Sequence, residues 1–140
     1  MRISARCDYA CRALMELSLH WPDKTPVHIQ QISENQKIPE RYLVQILIQL
    51  KRYGLVSSSR GKEGGYILVK PPENIKLGEV MRNISGALLP ISDSAVKDGS
   101  VFLGIWKEAE NVMEDVLDKV SFADICSKLK QKEKVIMYQI

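Results

Sequence analysis

Two groups of side chains in this chain have types and spacings that could do chemistry. The larger group falls in KIPERYLVQILIQLKRYG, LVSSS, RGKEGG and YILVK, read in that order along the chain. On a helix, Arg41, Val44, Gln45, Ile48, Gln49 and Arg52 lie away from the apolar face formed by Leu43, Ile46, Leu47 and Leu50. Arginine offers a bidentate match to guanine and glutamine one to adenine, each worth about 1–3 kcal/mol of discrimination. Arg60 and Lys62 stand in a turn with Gly61, Gly64 and Gly65, whose small size allows close approach to a nucleic-acid groove. Ser57, Ser58, Ser59 and Arg2 carry the donors of phosphate contacts, and Tyr42 is expected to be partly packed with its hydroxyl free for a phosphate. The blander reading of these residues is a solvated helix face and a solvated turn.

The second group is Cys7 and Cys11, four apart on an expected first helix, so that both thiols lie on neighbouring turns of one face. They read either as two small buried hydrophobes or as a redox- or metal-responsive pair, with Arg6 and Arg12 nearby to favour thiolate. No further Cys or His is adjacent in sequence to complete a metal shell, so no metal or cofactor is expected. Cys126 is expected in the core, and three cysteines argue against a disulfide framework. His20 and His28 flank one loop and read as helix caps, and Trp106 reads as interface or core. No Walker loop, no H-E-x-x-H and no Cys–His–Asp pattern occurs, so an enzyme is not expected.

The elements that must position these residues follow from periodicity and punctuation. A first helix runs from about Ala5, capped by Ser4, to His20 before Pro22, with Cys7, Ala10, Leu14 and Leu17 as its buried stripe. A short helix follows at about Val27–Gln36, then a recognition helix at about Pro39–Tyr53 with Pro39 in its first turn and Gly54 just past its end. Helix, strand, basic turn, strand is the layout of a winged helix-turn-helix. The expected fold is therefore mainly α with a small β-hairpin wing, plus a long C-terminal dimerisation helix. PPENIK reads as a linker, and a fourth helix spans about Leu77–Ile84. Residues 85–100 read as a loop without a period, the position a sensor loop would take. A long helix spans about Val101–Val120, with Ile105, Val112 and Val116 on its stripe, and its simplest partner is its twin in a second subunit. A short helix at about Phe122–Lys130, capped by Ser121, precedes a closing tail. The expected division is a DNA-binding domain over 1–84, the loop over 85–100, and dimerisation helix plus tail over 101–140.

Bulk properties agree with a globular chain: 140 residues, 45% hydrophobic and 26% charged. No run approaches the ~20 apolar residues that span a bilayer, and the N-terminus lacks a signal peptide's apolar core, so a cytoplasmic location without membrane partners is expected. Residues 1–70 hold eleven Lys/Arg against six Asp/Glu, while residues 71–140 hold nine against eleven. The basic half is the half with the wing, which fits contact with nucleic acid by one end of the molecule.

In register, MRISARCDYACRALMELSL, IPERYLVQILIQLKRYGLVSSSRGKEGGYIL, IKLGEVMRNISG, IWKEAENVMEDVL and VSFADI resemble the IscR-like family of bacterial winged-helix regulators, the Rrf family. The R-G-x-x-G-G-Y wing is the most specific element. The resemblance implies a homodimeric transcriptional regulator, a repressor by the branch it resembles, on a pseudo-palindromic operator in double-stranded DNA. It implies that Arg60 enters the minor groove and that Gln45 reads a base edge. Many relatives have a glutamate just before that glutamine. Val44 stands here, which packs on a thymine methyl and cannot accept from cytosine. Cluster-bearing members place three cysteines in the loop before the long helix, and residues 85–100 have none, so a cluster-free regulator is expected. Asp8 sits where some of those members supply a fourth ligand, and without the loop cysteines it reads as a surface or capping carboxylate. The cysteine-metabolism branch also lacks those cysteines and ends in an aromatic residue near a C-terminal isoleucine, so Tyr138 and Ile140 become a candidate docking tail for a cysteine synthase. Two other readings stay open: a thiol-based redox sensor acting through Cys7 and Cys11, and a protein-interaction module that has lost specific DNA binding.

Overall fold

The computed structural model describes residues 2–139. Helix α1 (Ala5–His20) begins at Ser4, whose hydroxyl accepts from the Cys7 N–H at 3.1 Å. It ends where Trp21 turns into extended backbone ahead of Pro22. Its stripe of Cys7, Ala10, Ala13, Leu14 and Leu17 is fully buried. Helix α2 (Ile29–Gln36) and helix α3 (Glu40–Arg52) pack on it through Ile32, Leu43, Ile46, Leu47 and Leu50. The turn between α2 and α3 is made by Lys37 in a left-handed conformation at φ 56°, and Pro39 caps α3 rather than opening its first turn.

Strands β1 (Val56–Ser59) and β2 (Gly65–Leu68) form an antiparallel hairpin in register Val56↔Leu68 to Ser59↔Gly65. Here the expected start of α2 is corrected. Val27 is extended and exchanges hydrogen bonds of 2.9 Å with Tyr66, so the turn end of β2 is pinned by a third short segment. Propensity yields to tertiary pairing at this position. The approach is so close that a Cβ on Gly65 would meet the Val27 carbonyl.

PPENIK is not a linker. Pro72–Asn74 is a single 3₁₀ turn, with Pro72 and Ile75 buried. Helix α4 (Leu77–Ser85) follows, and Ile75 and Leu77 exchange backbone hydrogen bonds with Phe122 and Val120 at 2.9 and 2.8 Å. Residues 85–100, expected to be aperiodic loop, contain a one-turn helix α5 (Asp93–Lys97) whose cap Ser92 accepts from Ala95 N–H. Helix α6 (Val101–Asp118) is the expected long helix. The last helix, α7 (Phe122–Gln139), is twice the expected length: the segment anticipated as a closing tail is helical through Gln139. Its start is a reciprocal cap, Ser121 with Asp124, at 2.9 and 3.1 Å. Phe122 enters the same core as α1 to α4.

Candidate nucleic-acid interface

Helix α3 divides cleanly into two faces. Leu43, Ile46, Leu47 and Leu50 are inside, whereas Arg41, Tyr42, Val44, Gln45, Ile48 and Arg52 are exposed. The Arg41 guanidinium lies over the Tyr42 ring, 5.1 Å from its centre, and this stiffens both side chains at the start of the helix. Tyr42 is half exposed, in keeping with a partly packed ring.

The wing stands beside this face. Ser58, Ser59, Arg60 and Lys62 are all exposed, and Ser57 is half-buried. Lys51, from the last turn of α3, donates to the Ser58 hydroxyl at 2.7 Å and so ties the helix to the wing. A groove of about 460 Å³ runs between wing and helices, lined among others by His28, Gln30, Ser58, Arg60 and Tyr66. His28 caps α2 with its backbone conformation alone, without a side-chain cap bond. His20 instead bonds Glu16 on its own helix at 3.1 Å.

Gln49 differs from the rest of the outward set. It is half-buried, its carbonyl accepts from Arg6 Nε at 3.0 Å, and its amide reaches the Asn83 carbonyl at 3.5 Å. It therefore ties α3 to α1 and α4. Lys51 and Arg6 were not in the set read from sequence as touching DNA. Their positions in the last turn of one helix and the first turn of another hold no spacing signal, because the contacts are tertiary.

Arg2 lies elsewhere, on the wall of a cleft of about 860 Å³ between the chain start, α4, residues 87–90 and α6. Cys7 opens on this cleft and Cys11 is half-buried one turn further on. The Cys11 thiol and the Ser85 hydroxyl hydrogen-bond Cys7 and hold its pKa below the ordinary thiol value. The same contact and burial push Cys11 up. Arg6 and Arg12 do not supply this effect: Arg6 is on Gln49, and Arg12 pairs with Asp8 at 2.8 Å on the surface. Cys126 is buried near the Met15 carbonyl of α1, and burial raises its pKa.

The described chain thus pairs an exposed, basic helix face with a basic hairpin braced against it. Residues 3–128 match the family model described as Rrf2, iron-dependent transcriptional regulator. The chain belongs to the Rrf2 family. It is a DNA-binding transcriptional regulator, and members of this family are not enzymes. Among solved Rrf2-family structures, IscR of T. potens is 32% identical, covers 94% of this chain and 90% of its own, and superposes with a TM-score of 0.79. CymR of B. subtilis, described as the global cysteine regulator of that organism, superposes at 0.76 with 26% identity over 91% of this chain and 98% of its own. In sequence, the same CymR aligns over 100% of both chains at 26% identity. No helix among the described residues is long and apolar enough to cross a membrane.

Proposed function

We propose that this regulator is a homodimeric, cluster-free repressor that reads a pseudo-palindromic operator through α3 and the wing. The observation that carries the reading is the division of α3. One face is sealed in the core, while Arg41, Val44, Gln45 and Arg52 are presented together beside Arg60 and Lys62. In this assignment Gln45 takes an adenine edge, Val44 a thymine methyl and Arg60 the minor groove, with Arg41, Tyr42, Arg52, Lys62, Ser58 and Ser59 on bases or phosphates. Arg2, on the cleft wall, contacts phosphate only if the operator extends past the chain start. Gln49 orients the helix from behind.

Homodimerisation is supported by α6. None of its 18 residues is buried, and Val101, Phe102, Ile105, Trp106, Val112 and Val116 form an exposed apolar row, with Phe102 and Trp106 stacked at 5.7 Å. A row of that size is the mark of an interaction surface. Cluster-free action is supported by the cysteine placement. Residues 85–100 hold none, and no three Cys, His, Asp or Glu side chains gather among the described residues. The residues present therefore do not fit an iron–sulfur cluster. On this reading the functional division is 1–84 for DNA, 85–100 as the sensor-loop position and 101–140 for pairing and partners.

A cysteine synthase remains the proposed partner of the C-terminal end. Val135, Ile136, Met137 and Tyr138 are exposed there, Tyr138 almost wholly so. Ile140 lies outside the described residues. Because α7 is helical to Gln139, insertion of an extended tail into an enzyme pocket requires the last turn to unwind.

Selection of genomic DNA fragments by the purified protein, followed by sequencing, tests the main reading. Enrichment of one palindrome is expected, bound at least about 10³-fold more tightly than random DNA at physiological salt. Uniform binding across fragments would instead support a protein-interaction module that keeps the winged fold.

A further inference from the structure

Gln49 and Lys51 stand two apart on α3, about 200° around its axis, so they face opposite flanks of the helix. Lys51 reaches the wing, whereas Gln49 reaches α1 and α4. On the Gln49 flank lies a pocket of about 410 Å³ walled by Arg6, Gln45, Ile48, Gln49, Arg52 and Tyr53. Two guanidinium groups stand in its wall and no carboxylate does, whereas the groove beside the wing contains Glu40. Gln49 is the hub of the pocket. Its carbonyl oxygen accepts from Arg6 Nε at 3.0 Å and from Nη2 of the same guanidinium at 2.5 Å. Its amide nitrogen stands 3.5 Å from both the Tyr53 hydroxyl oxygen and the Asn83 carbonyl. The Tyr53 oxygen accepts in that pair, so its own O–H is left to donate. A guanidinium carries five donors, and Gln49 uses only part of the fork on Arg6. Arg6, Arg52 and Tyr53 are exposed, and no ion pair among the described residues uses either arginine.

We infer that Arg6, Arg52 and the Tyr53 hydroxyl form a site for one backbone phosphate of the bound DNA, on the flank of α3 opposite the wing. A phosphodiester presents negatively charged oxygens that accept from charged and neutral donors together, which is what this wall supplies. Gln45 lines the same pocket, so the phosphate is one beside the base that Gln45 reads. The wing then holds the backbone on one bank of the major groove and this pocket holds it on the other. Arg6 has two separable roles: its contact with Gln49 fixes the flank of α3, and its charge and remaining donors take the phosphate. The inference rests on the proposed reading of α3 as the helix that enters the groove.

The salt dependence of DNA affinity tests it, measured by fluorescence anisotropy on the selected operator and on random DNA. Each neutralised phosphate contributes about 0.9 to the slope of log affinity against log salt. Arg6→Gln should lower that slope by about 1 and weaken operator and random DNA by a similar factor. Arg6→Lys should keep the native slope, because it keeps the charge while losing the planar fork on Gln49. Gln49→Ala, which removes the brace and leaves the charge, should keep the slope and alter operator preference. An unaltered slope in Arg6→Gln, or an equal fall in Gln49→Ala, makes Arg6 a brace alone and overturns the site. In a scan of the half-site with single neutral methylphosphonate linkages, at least one linkage should weaken the native chain and leave the Arg6→Gln, Arg52→Gln double variant no weaker; the absence of any such linkage contradicts the proposal. Inorganic phosphate should compete with the operator no better than chloride at equal ionic strength, and selective competition that the double variant loses would assign the pocket to a free anion instead. Lack of operator preference in the native chain would contradict the DNA reading as a whole, whereas native preference with an unaltered Arg6→Gln slope contradicts this site alone.

Discussion

Helices α1 and α6 are similar in length and both are amphipathic, yet they end in opposite states. The stripe of α1 is sealed against α2, α3, α4 and α7, with Leu14 and Ala10 wholly inaccessible. The stripe of α6 stays open, with Val112 and Val116 each 59% exposed. The same 3.6-residue pattern serves two purposes. In the first half of the chain it builds a core that holds α3 and the wing in place. In α6 it is left over after the core is complete. An apolar row that the chain does not cover is costly in water, so on the proposed reading a second copy covers it.

Breaking the open stripe should have the largest effect. Val112→Asp with Val116→Asp removes four side-chain burials per dimer, at roughly 1.5 kcal/mol or more each. Sedimentation velocity should then report single chains, while circular dichroism retains the helical fold. An unchanged sedimentation coefficient would place the interface elsewhere. Breaking the sealed region should act on stability instead. Leu47→Ala, at a position with no exposure, should cost about 2–5 kcal/mol in chemical denaturation. Operator binding at temperatures where that variant is folded should persist.

A smaller effect sharpens the contrast between the two faces of one helix. Gln45→Ala should leave stability within about 0.5 kcal/mol, as exposed positions do. It should cost about 1–3 kcal/mol of operator affinity, confined to one base position. Arg60→Ala should flatten preference at A/T-rich flanks. Smallest is the α7 cap. The backbone N–H of Ser121 holds Asp124 below the ordinary carboxylate range. Its contribution is therefore present at neutral pH. It fades as pH drops from about 3.9 through the lower folded value. The melting-temperature gap between the native chain and Asp124→Asn should shrink over that window, and a constant gap would show that the carboxylate is not the cap.

Much of this arrangement was legible in the residues. Ser4 and the 3- and 4-residue steps of α1 define its start and buried face, and the leucines of α3 define which side chains remain outside. The rest depended on contacts between distant segments. Val27 is β-branched and joins the wing only because Tyr66 is there to pair with it. Five residues of α5 are too few to show a period. The second half of α7, KQKEKVIMYQ, is helical through propensity without burying a stripe, so periodicity passed over it. Lys51 and Arg6 brace the proposed DNA face through partners seven and 43 residues away, a relation that no spacing rule encodes. Cys7 and Cys11 were visible as a spacing, but the cleft that Cys7 lines was not.

Hydroxyl-radical footprinting on the selected operator, with the native chain and the Val112→Asp, Val116→Asp variant side by side, tests the central claim most directly. The native chain should protect two tracts about one helical turn apart, about 34–36 Å, with the variant reduced to weak protection of single half-sites. A single protected tract with the native chain, or an unchanged double footprint with the variant, would contradict it.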